Sequence, residues 1–302
     1  MQSPQVGILE PVPSRGRHLL FHLAAADTSA DKVGAALRAV APLAGHGPVV
    51  LGVGAPTAAA LGINLEGLRP FPELAGPTGV RVPASQHALW LWIRSVDDAE
   101  DPGALFHRGR QLTAALSVGF RLDASLDVFR HGIGRDLSGY EDGTENPEGE
   151  KAEASALVQG RGAGLDGSSY AALQRWEHNF TSFDAMAPAA KDAAIGRRVS
   201  DNEEIDDAPP SAHVKRTAQE SFEPEAFVVR RSMPWLEGER AGLSFLAFGS
   251  SFDAFEAQLG RMLGRDDGVV DALFGFTKAT SGDYFWCPPR AGVGVDLRGL
   301  GL

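Results

Sequence analysis

At 302 residues the chain has room for one large domain or two of ordinary size, and 43% hydrophobic against 22% charged residues excludes disorder and permits a sizeable core. Its 28 basic and 39 acidic residues give a formal charge of −11, which argues against nucleic acid and anionic lipid as partners but leaves room for a local basic pocket. The single cysteine, Cys287, rules out an intramolecular disulfide and any Cys-rich zinc or iron–sulfur site.

In chain order, residues 1–15 lack a basic stretch followed by a long apolar run, so no secretory signal is read there. No apolar run approaches the ~18 residues of a membrane span, and a soluble cytoplasmic protein is expected. Residues 17–24 read as a strand. Val33, Leu37, Val40 and Leu43 recur at helical spacing over 28–43. Residues 47–54 form a buried strand between glycines, and 55–62 a short helix. A Pro- and Gly-rich loop reaches about residue 85. A strong strand over 87–94 alternates Ala88, Trp90 and Trp92 with His87, Leu89 and Leu91. A helix over 102–116 and an extended stretch over 118–130 complete a β-α-β-α-β-α-β order. Four strands with long connections suit an α+β layer with helices on one face of a small sheet.

Residues 131–167 are glycine-rich, charged and aperiodic, and are the best domain junction. Beyond them the pattern predicts strands at 168–176, 226–232, 242–249 and 282–287. Helices are predicted at 183–196, 252–264 and 268–275. The acidic run Asp201–Asp207 reads as a solvated loop. Cys287, between Trp286 and Pro288, reads as a buried inert thiol at a strand end. The two halves have similar element content, a hint of a duplicated α+β unit.

The most distinctive segment is Gly139-Tyr140-Glu141-Asp142-Gly143-Thr144-Glu145-Asn146-Pro147. Glycine lets the backbone approach a ligand closely or take positive φ, so Asp142 could be a general base, a metal ligand or simply a turn former. Eight histidines are present, at 18, 22, 46, 87, 107, 131, 178 and 213. None forms the helical His pair with an intervening Glu that zincins use. His213 stands apart: it follows Pro209-Pro210-Ser211, a helix-start signal, and precedes Lys215-Arg216. Arg230 and Arg231 end an apolar strand, so one of them should face inward, where an anionic partner or ligand is required. No Gly-x-Ser-x-Gly elbow, Walker loop or well-placed GxGxxG is present, so hydrolase, NTPase and Rossmann readings have no anchor.

Together these blocks resemble the dye-decolourising peroxidases, in particular the compact bacterial B-type. The resemblance runs from Gly7-Ile8-Leu9 through Asp136–Pro147, Gln174–His178, Ile195-Gly196-Arg197, Asn202–Asp206, His213 and Val228–Pro234 to Phe276–Gly282. It implies an α+β fold of two ferredoxin-like units, antiparallel sheets with helices packed on them: an N-terminal unit over 1–135, and a C-terminal unit over 136–302 that holds most of a haem b and includes the distal Asp loop. It places the haem iron's axial ligand on His213, the distal acid–base on Asp142, the distal cation on Arg230, a third distal polar residue on Ser232 and a propionate partner on Arg197. The acidic residue that bonds the proximal His in some members aligns with Gly275, so that partner is expected to be missing or supplied elsewhere.

The activity implied is reduction of hydrogen peroxide and one-electron oxidation of small organic donors, dyes and phenols, through a ferryl intermediate. A carboxylate base ordinarily titrates near 3.9, against about 6.5 for His, so an acidic optimum is expected. The family also implies a homo-oligomer. Packaging in a protein shell through the C-terminus is possible for the family but unsupported here, because the ending Asp296–Leu302 reads more as a docked terminus than as a cargo tag. Two other readings stand beside this one: a non-catalytic haem carrier, which needs His213 and Arg197 but not Asp142 and Arg230, and a haem-free ferredoxin-like binding or sensor module.

Overall fold

The computed structural model describes residues 3–45 and 47–302. Of the eight histidines, His46 lies outside the described residues. Ten strands build the main sheet: β1 (Arg15–Leu23), β2 (Val49–Gly54), β3 (Leu89–Arg94), β4 (Phe120–Phe129), β5 (Ser169–His178), β6 (Val229–Arg230), β7 (Met233–Glu237), β8 (Arg240–Gly249), β9 (Thr277–Ala279) and β10 (Asp283–Cys287). Their spatial order is β9-β5-β10-β2-β3-β1-β4-β7-β8-β6, and an added β5–β8 pairing closes eight of them into a ring. All the pairings are antiparallel. Each half of the chain contributes four consecutive ring strands, β2-β3-β1-β4 and β10-β5-β8-β7. The seams are short: Phe285 and Trp286 of β10 pair with Gly54 and Val53 of β2, and Val128 of β4 pairs with Trp235 of β7.

Strand alternation divides the core in two. One face of the ring strands carries Val50, Trp90, Trp92, Trp235, Phe248 and Phe285, which pack together inside the ring. Such aromatic side chains bury about 150–250 Å² each. At about 25 cal/mol per Å² that is up to about 4–6 kcal/mol apiece before conformational entropy is subtracted. The other face carries Leu51, Leu89, Leu91 and Tyr284 under the helices. The helices that matter below are α1 (Ala30–Val40), α2 (Pro102–Leu116), α3 (Gly149–Ala156), α4 (Pro188–Ile195), α5 (His213–Arg216) and α6 (Asp253–Met262); α1, α2 and α6 cover this outer face, while Ala152 and Ala156 of α3 pack with the inner cluster. Asp101 starts α2 by accepting from the Gly103 and Ala104 amides, with Pro102 at the first helical position. Both faces of β2 and β3 are buried, as their unbroken apolar runs require.

Several predicted elements are redrawn. The helix over 183–196 divides into Phe180–Asp184 and α4, because Pro188 cannot continue the first and opens the second. The helix over 268–275 reduces to a 3-10 turn, Ala272–Gly275. The strand over 226–232 breaks at Arg231-Ser232 and resumes through Pro234, which sits opposite Leu243. The junction read as aperiodic contains α3. Cys287 is buried and free, and burial pushes its thiol pKa up, as an inert thiol requires. Near the C-terminus Leu297 and Leu300 are buried in the core beneath the helices. No described helix is long and apolar enough to cross a membrane.

Candidate active site

His213 opens α5, one turn after Pro209-Pro210. Its Nδ1 lies 2.8 Å from Oδ2 of Asp271, whose side chain is fully buried. A carboxylate only accepts, so Nδ1 carries the proton and Nε2 keeps its lone pair for a ligand. The other oxygen of Asp271 accepts from the Leu273 amide at 2.9 Å and caps the 3-10 turn. Of the two outcomes left open for the acid that did not align at Gly275, missing or supplied elsewhere, the structure gives the second. The partner is Asp271, four residues earlier, because the predicted helix is only a capped turn and the acid sits at its cap.

His213 lines a narrow slot of about 130 Å³ between α6 and the sheet, walled by Leu243, Phe245, Phe255, Leu259 and Met262. Asp142 and Arg230 line it too. Together with Leu243, these two also border a wider cavity of about 710 Å³ that contains Ser232, Arg231 and Arg130. They thus form a partition between an apolar slot and a polar chamber. The structure brings His213, Asp142 and Arg230 to one place, and puts Ser232 in the adjoining chamber, where its hydroxyl accepts from the Leu246 amide at 3.4 Å.

Asn146 joins the two sides of the partition. Its side-chain oxygen accepts from the Arg230 amide at 2.7 Å and its NH2 donates to the Arg230 carbonyl at 3.1 Å. This double bond in the strand-pairing style locks the Asp142 loop to β6. Gly143, with φ +79°, turns the chain directly after Asp142; a Cβ there would come within 2.9 Å of the Asn146 amide nitrogen. Arg135 and Asn202 hold Glu141, the residue before Asp142, at 3.3 and 3.1 Å. Asp142 is thus anchored from both sides. The Nε of Arg230 is buried without a hydrogen-bond partner among the described residues, a donor that a ligand would satisfy.

Arg197 lies elsewhere. It is not part of either cavity wall, and its guanidinium is held by Glu145 at 2.5 Å and Glu204 at 3.5 Å. Arg231, just past the end of β6, is held in its own way: burial, and then the neighbouring Arg94, push its pKa down to about 10. It donates to the Leu9 and Arg230 carbonyls.

Sequence reasoning passed over three features of the slot and its adjoining chamber. Asn146 stands inside the quoted motif but shows its role only through its contact with β6. His178 bridges Asp136 at 2.9 Å and Thr277 at 2.8 Å in the slot wall. Burial raises the Asp136 pKa, but the bonds from His178 and the Ser138 amide outweigh it and the net shift is downward. Tyr140 donates to Asp192 at 2.5 Å and pins the loop to α4; burial and that carboxylate push its pKa up.

A sequence model described as "Dyp-type peroxidase, C-terminal" matches residues 134–292, more than half of the chain. A dye-decolorizing peroxidase of Brevibacterium linens is 29% identical over 230 residues, 74% of this chain and 61% of that protein. The chain spans less than two thirds of the length of the curated relatives it matches. Among solved structures, a variant of DypB from Rhodococcus jostii RHA1 in complex with heme superposes with a TM-score of 0.82 at 25% identity, over 95% of this chain and 97% of that one. A dye-decolorizing protein from V. cholerae gives 0.81 at 25% identity, over 93% and 96%. With its C-terminal half matched by the family's own model and its whole sheet-rich α/β fold shared with solved members, the chain belongs to the Dyp-type peroxidases.

Proposed function

We propose that this protein is a haem peroxidase that reduces hydrogen peroxide and oxidises small organic donors, dyes and phenols among them, by single electrons. The observation that carries the reading is the shared slot: an imidazole tethered through Nδ1 by Asp271, with Asp142 and Arg230 in the same walls. The residues fit a haem. The slot walls are apolar, as a macrocycle requires, and the donor set is one neutral imidazole nitrogen. Haem b would occupy the slot with His213 Nε2 as its axial ligand. Arg197 would hold a propionate, taking it in place of Glu145, which is 62% exposed and free to swing away. The bound haem would supply the redox chemistry, accepting two oxidising equivalents from peroxide and returning them singly.

The protein's own groups do the rest. The Asp142 carboxylate takes a proton from peroxide and returns it to the departing oxygen, so that water leaves. Arg230 is a fixed cation in a partly desolvated wall and stabilises the negative charge that grows as the O–O bond breaks. Ser232 offers a hydroxyl to peroxide or water in the chamber. Asp271 holds the His213 ring in the tautomer that can ligate and raises its electron donation. The unit division at 135/136 is proposed with this reading, on the matching four-strand order of the two halves, which is that of ferredoxin-like sheets. A cytoplasmic, homo-oligomeric enzyme without nucleic-acid or membrane partners remains the expectation.

The test pairs two variants reconstituted with haem. His213→Ala should lose the Soret band of ligated haem. Asp142→Ala should keep haem while peroxide turnover falls about 10²–10⁴-fold, the usual worth of a general acid–base. Haem uptake without peroxide turnover in the wild type would favour the haem-carrier reading, full turnover in Asp142→Ala would remove that residue's acid–base role, and a chain that takes up no haem would favour a haem-free module.

A further inference from the structure

A second cluster of ligating side chains lies outside this site, on the opposite end of the sequence. His22 of β1, His87 immediately before β3, and Asp123 of β4 bring one ligand atom each to within 4.8 Å of one another. Three local features put them there. The β1–β4 register skips Asp123: Leu20 faces Ala124 and Phe21 faces Leu122, so Asp123 is the extra residue of a β-bulge. Bulges turn a side chain away from its regular direction. Gln86 holds positive φ, +57°, and places His87. Asp283 of β10, 1% exposed, then accepts from both the His87 amide (2.8 Å) and the His87 ring Nδ1 (3.0 Å). This leaves His87 Nε2 pointing at Asp123 Oδ2, 3.2 Å away, while His22 Nε2 stands 3.6 Å from the same oxygen. The two rings stack with centroids 4.8 Å apart.

We propose that His22, His87 and Asp123 form a site for a divalent first-row transition ion, with Zn2+ as its type, and that Asp283 orients His87 from behind. A tetrahedral ion holds nitrogen and oxygen ligands at about 2.0–2.2 Å, which sets the ligands about 3.3–3.6 Å from each other. The 3.2 and 3.6 Å edges match that spacing, and the half-exposed His22 can swing to close the third. Two imidazoles and one carboxylate are borderline ligands suited to zinc and its neighbours rather than to calcium or magnesium. A carboxylate behind the coordinating imidazole is the usual outer-shell partner of a histidine ligand. Oδ2 of Asp283 is buried and has no hydrogen-bond partner among the described residues, so this carboxylate is committed to the His87 side. The fourth position opens to solvent, beside Arg121, which donates to the other Asp123 oxygen at 3.4 Å. The alternative occupant is a proton: burial lowers the His87 pKa, but Asp283 and Asp123 outweigh it and the net shift is upward, so His87 can sit as a simple ion pair between two acids.

The full, tag-free chain, treated with a chelator and then titrated calorimetrically with Zn2+ near pH 8, separates the two. One Zn2+ per chain is expected, with the visible absorption of tetrahedral Co2+ when cobalt replaces it and a rise in Tm on loading. His22→Ala and Asp123→Ala, both at half-exposed side chains, should each abolish stoichiometric binding. Asp283→Asn should weaken it about 10–100-fold, the usual effect of an outer-shell partner. His213→Ala should bind Zn2+ as the wild type does, which separates this site from the imidazole of the slot. No uptake by the wild type, or unchanged uptake in both His22→Ala and Asp123→Ala, overturns the proposal and leaves the ion pair.

Discussion

Asp271→Asn is the most incisive perturbation of the slot, because at nearly constant shape it changes one charge and the hydrogen-bond inventory that goes with it. The two carboxylate oxygens of Asp271 both accept, one from His213 Nδ1 at 2.8 Å and one from the Leu273 amide at 2.9 Å. An amide offers only one acceptor. If its oxygen keeps the Leu273 cap, its NH2 faces Nδ1, and His213 must move its proton to Nε2, where it can no longer ligate. If its oxygen keeps His213, two N–H groups oppose each other at the cap, which costs about 0.5–2 kcal/mol of stability. Losing a charge-assisted bond to a buried acceptor adds about 1.5–3 kcal/mol in either arrangement. An outer-shell change of this kind weakens a histidine-held metal centre about 10–100-fold, equivalent to about 1.4–2.8 kcal/mol. The assay is haem titration followed at the Soret band, with thermal unfolding of the haem-free variant as control. Haem affinity and Tm both equal to those of the wild type would refute the tautomer argument.

Arg230→Leu should retain haem while the first reaction with peroxide slows about 10²–10³-fold, the usual loss on removing one electrostatic stabiliser; an unchanged rate in stopped-flow would dismiss that role. Asn146→Ala breaks both bonds to the Arg230 backbone and should cost about 1–3 kcal/mol, with a fall in peroxide reactivity but not in haem content; loss of stability alone would make Asn146 a structural clamp only. Asp136 has a folded pKa below its ordinary value, so its stabilising bond to His178 is at full strength above about pH 4 and is lost as pH falls through the folded value. Asp136→Asn should therefore lower Tm at neutral pH, with the gap to wild type narrowing in acid; a gap independent of pH would show that the carboxylate's charge is not involved.

Periodicity located seven of the eight ring strands: the apolar runs at 49–54 and 89–94 are buried on both faces, and alternation sorts Trp90 and Trp92 from Leu89 and Leu91, but β7 lay beyond the strand expected over 226–232, because the chain breaks at Arg231-Ser232 and resumes through Pro234. It could not show that the strands close, because closure rests on three seam pairs between residues over 100 positions apart, Val128 with Trp235 among them. In the slot, His213, Asp142 and Arg230 were legible as motif positions. Asp271 was not: the 268–275 segment has helical composition, and only the capped 3-10 turn reveals that an acid starts it. Asn146 was hidden by its motif, where it reads as a turn former, yet it joins the loop to a strand 84 residues away. Arg197 was legible as a motif position, but its present partners, Glu145 and Glu204, were not, because they come from loops 52 residues before it and 7 after it.

The same device recurs in both halves of the chain and gives two different outcomes. Asp271 and Asp283 are both buried, and each accepts a hydrogen bond from the Nδ1–H of a histidine, at 2.8 and 3.0 Å, thereby fixing ring and tautomer. What differs is the surroundings of Nε2. Around His213 the walls are Phe245, Phe255, Leu259 and Met262, which exclude water and suit one large apolar ligand centred on a single nitrogen. Around His87 a second imidazole and a carboxylate stand within 4.8 Å, which suits a small ion gathered by several protein atoms. A buried carboxylate behind an imidazole thus prepares a ligand without choosing the metal. The choice is made by the side chains that face the free nitrogen, which is why exchanging only Asp271 or only Asp283 should weaken one site and leave the other intact.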